Sequence, residues 1–311
     1  MPWWTCWQTM TIGSPRKRPA ATSAKAQKTR ADVAPFGTYL ETLLGKEHSA
    51  IMDKLHQQHK LLQNATSVAE AANVVVDVSA LMDQEMAEIR TALHNGKGKE
   101  SVTKFSTLRG NLLEEVALTI ARLTVKKYSD DIVVRKFSTG DGVITGLAFR
   151  YSRGKIPNPT DVMFRRDRED VIVGFPRSVR LIDSSTSQEL TIPDQIVPFC
   201  IIACKIYIDA TRLENVLAKA RSILPSYAGA SFFVLSEWDA LGSEWHGESG
   251  HILDALYAPV DRLIFLREGS RPKNEELQER SLQFPYRRKL ILALADGIEQ
   301  AYKAWVGDAS S

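Results

Sequence analysis

The chain has 311 residues, of which 44% are hydrophobic, 25% charged and 8% aromatic, a mixture that excludes wholesale disorder, collagen and a disulfide scaffold. At about 150 residues per domain, it is long enough for two domains or one large one with a substantial core. Net charge is only +3, and the three cysteines, Cys6, Cys200 and Cys204, make no disulfide framework and point to a reducing, cytoplasmic setting.

Residues 1–35 carry six basic side chains and one acid, a charge of +5, against −2 for the remainder. Pro, Ala, Ser and Thr fill the gaps, so the segment is expected to be a flexible basic arm. A basic arm on a near-neutral body suits a polyanion, although a solvated terminus has the same composition. Met1–Ile12 has three tryptophans but neither a basic lead nor a long apolar stretch, which is a poor secretory signal. No run of 18 apolar residues occurs anywhere, so no membrane span is expected.

Apolar residues then recur near the helical period over 38–63 (Leu40, Leu43, Leu44, Ile51, Leu55, Leu61, Leu62) and over 66–94 (Val68, Ala72, Val75, Leu81, Met82, Ile89, Leu93). Ser67 with Glu70 three residues on forms a capping box for the second helix. His48, His56, His59 and His94 show no HxxxH or HExxH spacing, which argues against a metal site there. The Gly-Lys-Gly-Lys stretch 96–99 is a break, followed by a third helix over about 107–126 that contains Glu114 and Glu115. This gives a helical N-terminal region over 36–99 and a body over 100–311.

From Ile132 the texture changes to short Val-, Ile- and Phe-rich runs bounded by Gly, Pro and Asp. Strands are expected at 132–137, 143–149, 171–175, 179–182, 189–197, 200–208, 231–236 and 262–266. Helices are expected at about 211–224, 250–257 and 286–306, and 150–168 reads as a loop or ribbon rich in arginine. The fold class is therefore α/β or α+β, with a helical front end.

One stretch, Ile192 to Lys205, carries chemistry. A lysine in the middle of the apolar run 201–208 needs either an exposed strand edge or a counter-charge. Strand parity puts Ile201, Ala203, Lys205 and Tyr207 on one face and Cys200, Ile202, Cys204 and Ile206 on the other. The second face is wholly apolar, so Cys200 and Cys204 read as small buried hydrophobes. Asp194, on what reads as the preceding strand, is expected to approach Lys205.

Pro193-Asp194 followed by Ala203-Cys204-Lys205 resembles the motif of the PD-(D/E)XK nuclease superfamily, an acid and then an acid, any residue and lysine on the next strand. The stretch 192–214 also resembles the type II restriction endonucleases of the BbvCI-like family, which cut asymmetric DNA sites with two different subunits or active sites. The resemblance implies a mixed sheet flanked by helices over about 100–305, and Mg²⁺-dependent, site-specific hydrolysis of double-stranded DNA. Hard oxygen ligands suit such a cation, which activates water and stabilises charge on the phosphorane. By resemblance, Asp194 and the carbonyl of Cys204 are metal ligands, Glu114 adds a carboxylate from the preceding helix, and Lys205 orients or deprotonates the attacking water. The chain is further expected to assemble as a homo- or hetero-oligomer with a second nuclease subunit.

Ala203 is the departure, because a methyl group binds no metal. Either the chain is an inactivated form of an enzyme, engineered or natural, or another carboxylate stands in. A non-catalytic DNA-binding or assembly subunit and a structure-specific repair nuclease of the same superfamily remain the alternatives. Arg150, Arg153, Lys155, Arg165, Arg166, Arg177 and Arg180 are candidate phosphate or base contacts. There is no GxxxxGK[ST] phosphate loop, GxSxG elbow or zinc pattern.

Overall fold

Both hydrophobic periods are realised in the computed structural model, which describes residues 35–44, 50–92, 98–136, 143–149, 162–167, 169–182, 189–241, 259–273 and 276–308. The expected arm up to residue 34, the arginine-rich stretch 150–161 and the helix expected at 250–257 lie outside the described residues.

The front end is a series of helices: α1 (Pro35–Leu44), α2 (Ala50–Asn64), α3 (Val68–Gln84), α4 (Met86–Ala92) and α5 (Gly98–Val125). Ser67 caps α3 by accepting from the Glu70 N–H, while the Glu70 carboxylate accepts from the Thr66 N–H and hydroxyl at 2.8 and 2.9 Å. The helix expected over 66–94 divides at Glu85, which leaves helical geometry with φ −99° and ψ 19°.

Behind the helices lies a mixed five-stranded sheet of order β1-β4-β5-β6-β7, built from β1 (Val133–Arg135), β4 (Val171–Ile182), β5 (Glu189–Ile208), β6 (Ser231–Asp239) and β7 (Arg262–Phe265). β1, β4 and β5 pair antiparallel, and β5, β6 and β7 pair parallel. The β5–β6 step needs a crossover, supplied by α6 (Ala210–Ile223). A separate ribbon pairs β2 (Val143–Phe149) with β3 (Val162–Asp167). The chain ends in α7 (Leu277–Gln283), which the sequence pattern did not announce, and α8 (Arg288–Asp308).

Alternation along the strands sorts the sheet into two faces. Val171, Val173, Cys200, Ile202, Cys204 and Leu235 pack into one core with α1–α5 and α8, while Ile172, Ile201, Ala203, Phe232 and Val234 pack with α6. The regions expected as 36–99 and 100–311 share the first of these cores, which runs without interruption from Phe36 to Ala301. A buried charge network joins them as well. Arg267, just past β7, donates to Ser79 Oγ and to both oxygens of Asp83 on α3, while Arg109 on α5 donates to Glu237 on β6.

Two strand pairs expected as four separate strands are instead two long ones. β4 covers both 171–175 and 179–182, and β5 runs for 20 residues through Pro198. Proline has no N–H for the ladder and normally marks a strand edge or bulge. Here the β4–β5 register slips between Val173↔Cys200 and Gly174↔Pro198, so Phe199 is the extra residue of a bulge. Gly174 makes the close approach possible: a Cβ there would lie 2.2 Å from the Val197 carbonyl oxygen.

Candidate active site

The length of β5 corrects one expectation. Asp194 and Lys205 lie on the same strand, 11 residues apart, a separation of about 36 Å at 3.3 Å per residue. Asp194 therefore does not approach Lys205 from a neighbouring strand, and the strand break read at Pro198 is the reason it was placed there.

The acid beside Lys205 is Asp170, immediately before β4. The register Val171↔Ile202 brings the start of β4 alongside residues 203–205. Asp170 Oδ2 accepts from the Cys204 N–H at 2.6 Å and from Lys205 Nζ at 3.1 Å, and Lys205 Nζ also donates to the Cys204 carbonyl at 3.0 Å. β5 is flanked here by β4 and β6, so Lys205 is not on an edge and has the counter-charge a half-buried lysine requires. Burial alone would lower the Lys205 pKa, but Asp170, and then Glu169, more than offset it and keep the ammonium protonated above its ordinary range.

Helix α5 brings two acids to the sheet and sends them in different directions. Glu114 receives a hydrogen bond from Lys136, just past β1. Burial raises its pKa beyond what Lys136 offsets, and it feels the charges of Asp170 and Lys205. Glu115 is 1% exposed and faces the N-terminal helices, 3.6 Å from His59 Nε2. Ala203 is fully buried in the α6-side core, whereas Cys204 packs toward α5, with Sγ 3.8 Å from the Leu113 carbonyl. Burial pushes the thiols of Cys200 and Cys204 well up, so both behave as apolar filling.

Sequence reasoning also passed over Glu169, next to Asp170. Its side chain is 1% exposed, and Lys219 on α6 stands 2.9 Å from Oε1. The available signal was an acidic pair directly before the apolar run Val171-Ile172-Val173. Three carboxylate–lysine pairs thus gather around the β4–β5 junction: Glu114–Lys136, Asp170–Lys205 and Glu169–Lys219. Beyond Lys205, on the same strand face, the Tyr207 ring is covered by the guanidinium groups of Arg212 at 3.8 Å and Arg271 at 3.6 Å. Of the other basic candidates, Arg177 and Arg180 are exposed on β4, and Arg166 on β3 donates to Gln195 at 2.9 Å.

The donor set has a definite chemical character. Asp170 Oδ2 and the Cys204 carbonyl oxygen both face one cationic nitrogen, and Glu114 is a third hard oxygen donor in the same charge cluster. Among the described residues, no three His, Cys, Asp or Glu side chains form a metal cage. Two carboxylates and a carbonyl fit Mg²⁺, which binds through few protein oxygens and keeps several waters.

A solved structure titled native BbvCI A2B2 tetramer at low resolution matches 88% of this chain and 96% of its own, with a TM-score of 0.51 and 15% sequence identity. The chain has the BbvCI restriction endonuclease fold. N-terminal helices and a mixed five-stranded sheet flanked by helices are common to both. No family model and no curated protein matches the chain. No described helix is long and apolar enough to cross a membrane.

Proposed function

We propose that the protein is a site-specific DNA endonuclease subunit that hydrolyses phosphodiester bonds with the help of Mg²⁺. The observation that carries this reading is the junction of β4 and β5 in a restriction endonuclease fold, where Asp170, the Cys204 carbonyl and Lys205 meet within 3.1 Å. Asp170, Glu114 and the Cys204 carbonyl would hold the cation, which supplies an activated water and charge neutralisation when bound.

Lys205 acts in its protonated form. Asp170 and Glu169 hold its charge in place, so the ammonium orients the attacking water and stabilises the oxygens of the phosphorane by donation. That role replaces deprotonation of the water. Arg212 and Arg271, stacked on Tyr207 about 7 Å further along the strand, contact phosphates flanking the cut. Cleaving both strands of a duplex requires two such sites, and the BbvCI structure is titled an A2B2 tetramer. The chain accordingly assembles with a second nuclease subunit, identical or different.

A mixed pool of long duplex DNA tests the proposal. Incubation with Mg²⁺ should give discrete fragments, none with EDTA, and Lys205→Ala should cut at least about a hundredfold more slowly while still retarding the DNA in a gel. A second reading, a non-catalytic DNA-binding subunit, draws on Ala203, which removes one carboxylate from the site. DNA retarded but never cut, with every subunit combination present, would favour it.

A further inference from the structure

We propose that Glu169 supplies the carboxylate that position 203 lacks, so that the cation site is completed from the start of β4 and not from β5. The inference rests on the nuclease reading above and assigns a residue to it.

Residue 203 lies two positions before Lys205, on the same face by strand parity. It is an alanine with no exposed surface, packed in the α6-side core. Glu169 comes to that side of the sheet from a different strand, as its contact with Lys219 on α6 shows. Continuing the register from Val171↔Ile202 carries residues 170 and 169 past 203 and 204, so the Glu169 backbone runs beside the alanine. Cross-strand and diagonal neighbours at this spacing are within reach of a long side chain.

The state of Glu169 sets it apart from an ordinary ion-paired surface acid. Its side chain is 1% exposed, and among the described residues its Oε2 has no hydrogen-bond partner. A buried carboxylate oxygen left without a donor is costly and calls for an explanation. Lys219, itself 46% exposed, reaches only one of the two oxygens. Glu169 also adjoins Asp170 in sequence and contributes to the field that keeps Lys205 charged. An oxygen that faces the Asp170–Lys205 cluster and lacks a donor is suited to a hard cation. Lys219 is then a positioning residue that holds the carboxylate inward.

Mn²⁺ binding to the full chain, followed by electron paramagnetic resonance, tests this without relying on cleavage. Glu169→Gln keeps the volume and should weaken Mn²⁺ binding at least about tenfold, with Asp170→Asn weakening it as much or more. Lys219→Met, which frees the carboxylate from its competing cation, should tighten binding; this variant keeps the test decisive if Glu169→Gln unfolds. Adding Ala203→Asp to Glu169→Gln should recover Mn²⁺ affinity. If Glu169→Gln and Lys219→Met both bind Mn²⁺ like the unmodified chain while Asp170→Asn does not, Glu169 is only the structural partner of Lys219. If Asp170→Asn also leaves binding unchanged, the cation-site reading itself fails.

Discussion

Arg267→Met is the perturbation that most severely tests how the helical front end is fastened to the sheet. Arg267 is 2% exposed and donates five hydrogen bonds: to Ser79, to both oxygens of Asp83, and to the carbonyls of Ser281 and Phe284, at 2.8 to 3.1 Å. Burial pushes the Asp83 carboxyl up even with Arg267 and Arg109 beside it. Removing Arg267 leaves Asp83 facing only Arg109, at 3.6 Å. Breaking one side of a buried ion pair costs about 3–5 kcal/mol, and the two stranded carbonyls add to this. The loss should appear as a reduced guanidinium midpoint at neutral pH. Replacing the pair together, Asp83→Leu with Arg267→Met, should recover most of it, because no unpaired charge then remains buried. A single-variant cost below about 1 kcal/mol, far under that range, would refute the reasoning, as would a double variant whose cost equals the sum of the singles.

Gly174→Ala should destabilise the fold by about 2 kcal/mol, since its Cβ would strike backbone at Val197 and Pro198, which no rotamer change relieves; chemical denaturation measures it. Glu299 is held down to about 2 from 4.5 by hydrogen bonds from Lys127, Lys303 and Tyr128. A carboxyl more acidic in the folded than in the unfolded chain stabilises fully above pH 4.5 and progressively less as pH falls toward 2. Glu299→Gln should therefore flatten the acid limb of the stability profile in that window and leave lower pH unchanged.

Much of the architecture was legible because its signals are local. The heptad-like stripes of α3 and α5, the Ser67 cap and the parity that buries Cys200, Ile202 and Cys204 against the helices follow from spacing alone. Pro198 misled, because a proline in an apolar run normally ends a strand, and the bulge that absorbs it depends on Gly174, 24 positions earlier in the chain. That one long-range pairing decides which acid meets Lys205. Asp194 follows a proline in a familiar motif spacing, whereas Asp170 and Glu169 follow Arg168 with no such cue. The buried network of Arg109, Glu237, Asp83 and Arg267 was equally hidden: its members are spread over four elements, and arginine is rarely buried without partners that only the fold reveals.

The central claim is that cleavage depends on the acid at the start of β4. The most direct measurement compares Asp170→Asn with Asp194→Asn in Mg²⁺-dependent cutting of long duplex DNA, each variant combined with the full set of subunits. The account predicts that Asp170→Asn abolishes cutting while Asp194→Asn, about 36 Å along β5 from Lys205, cuts at the unmodified rate. Loss of cutting in Asp194→Asn with full activity in Asp170→Asn would contradict it.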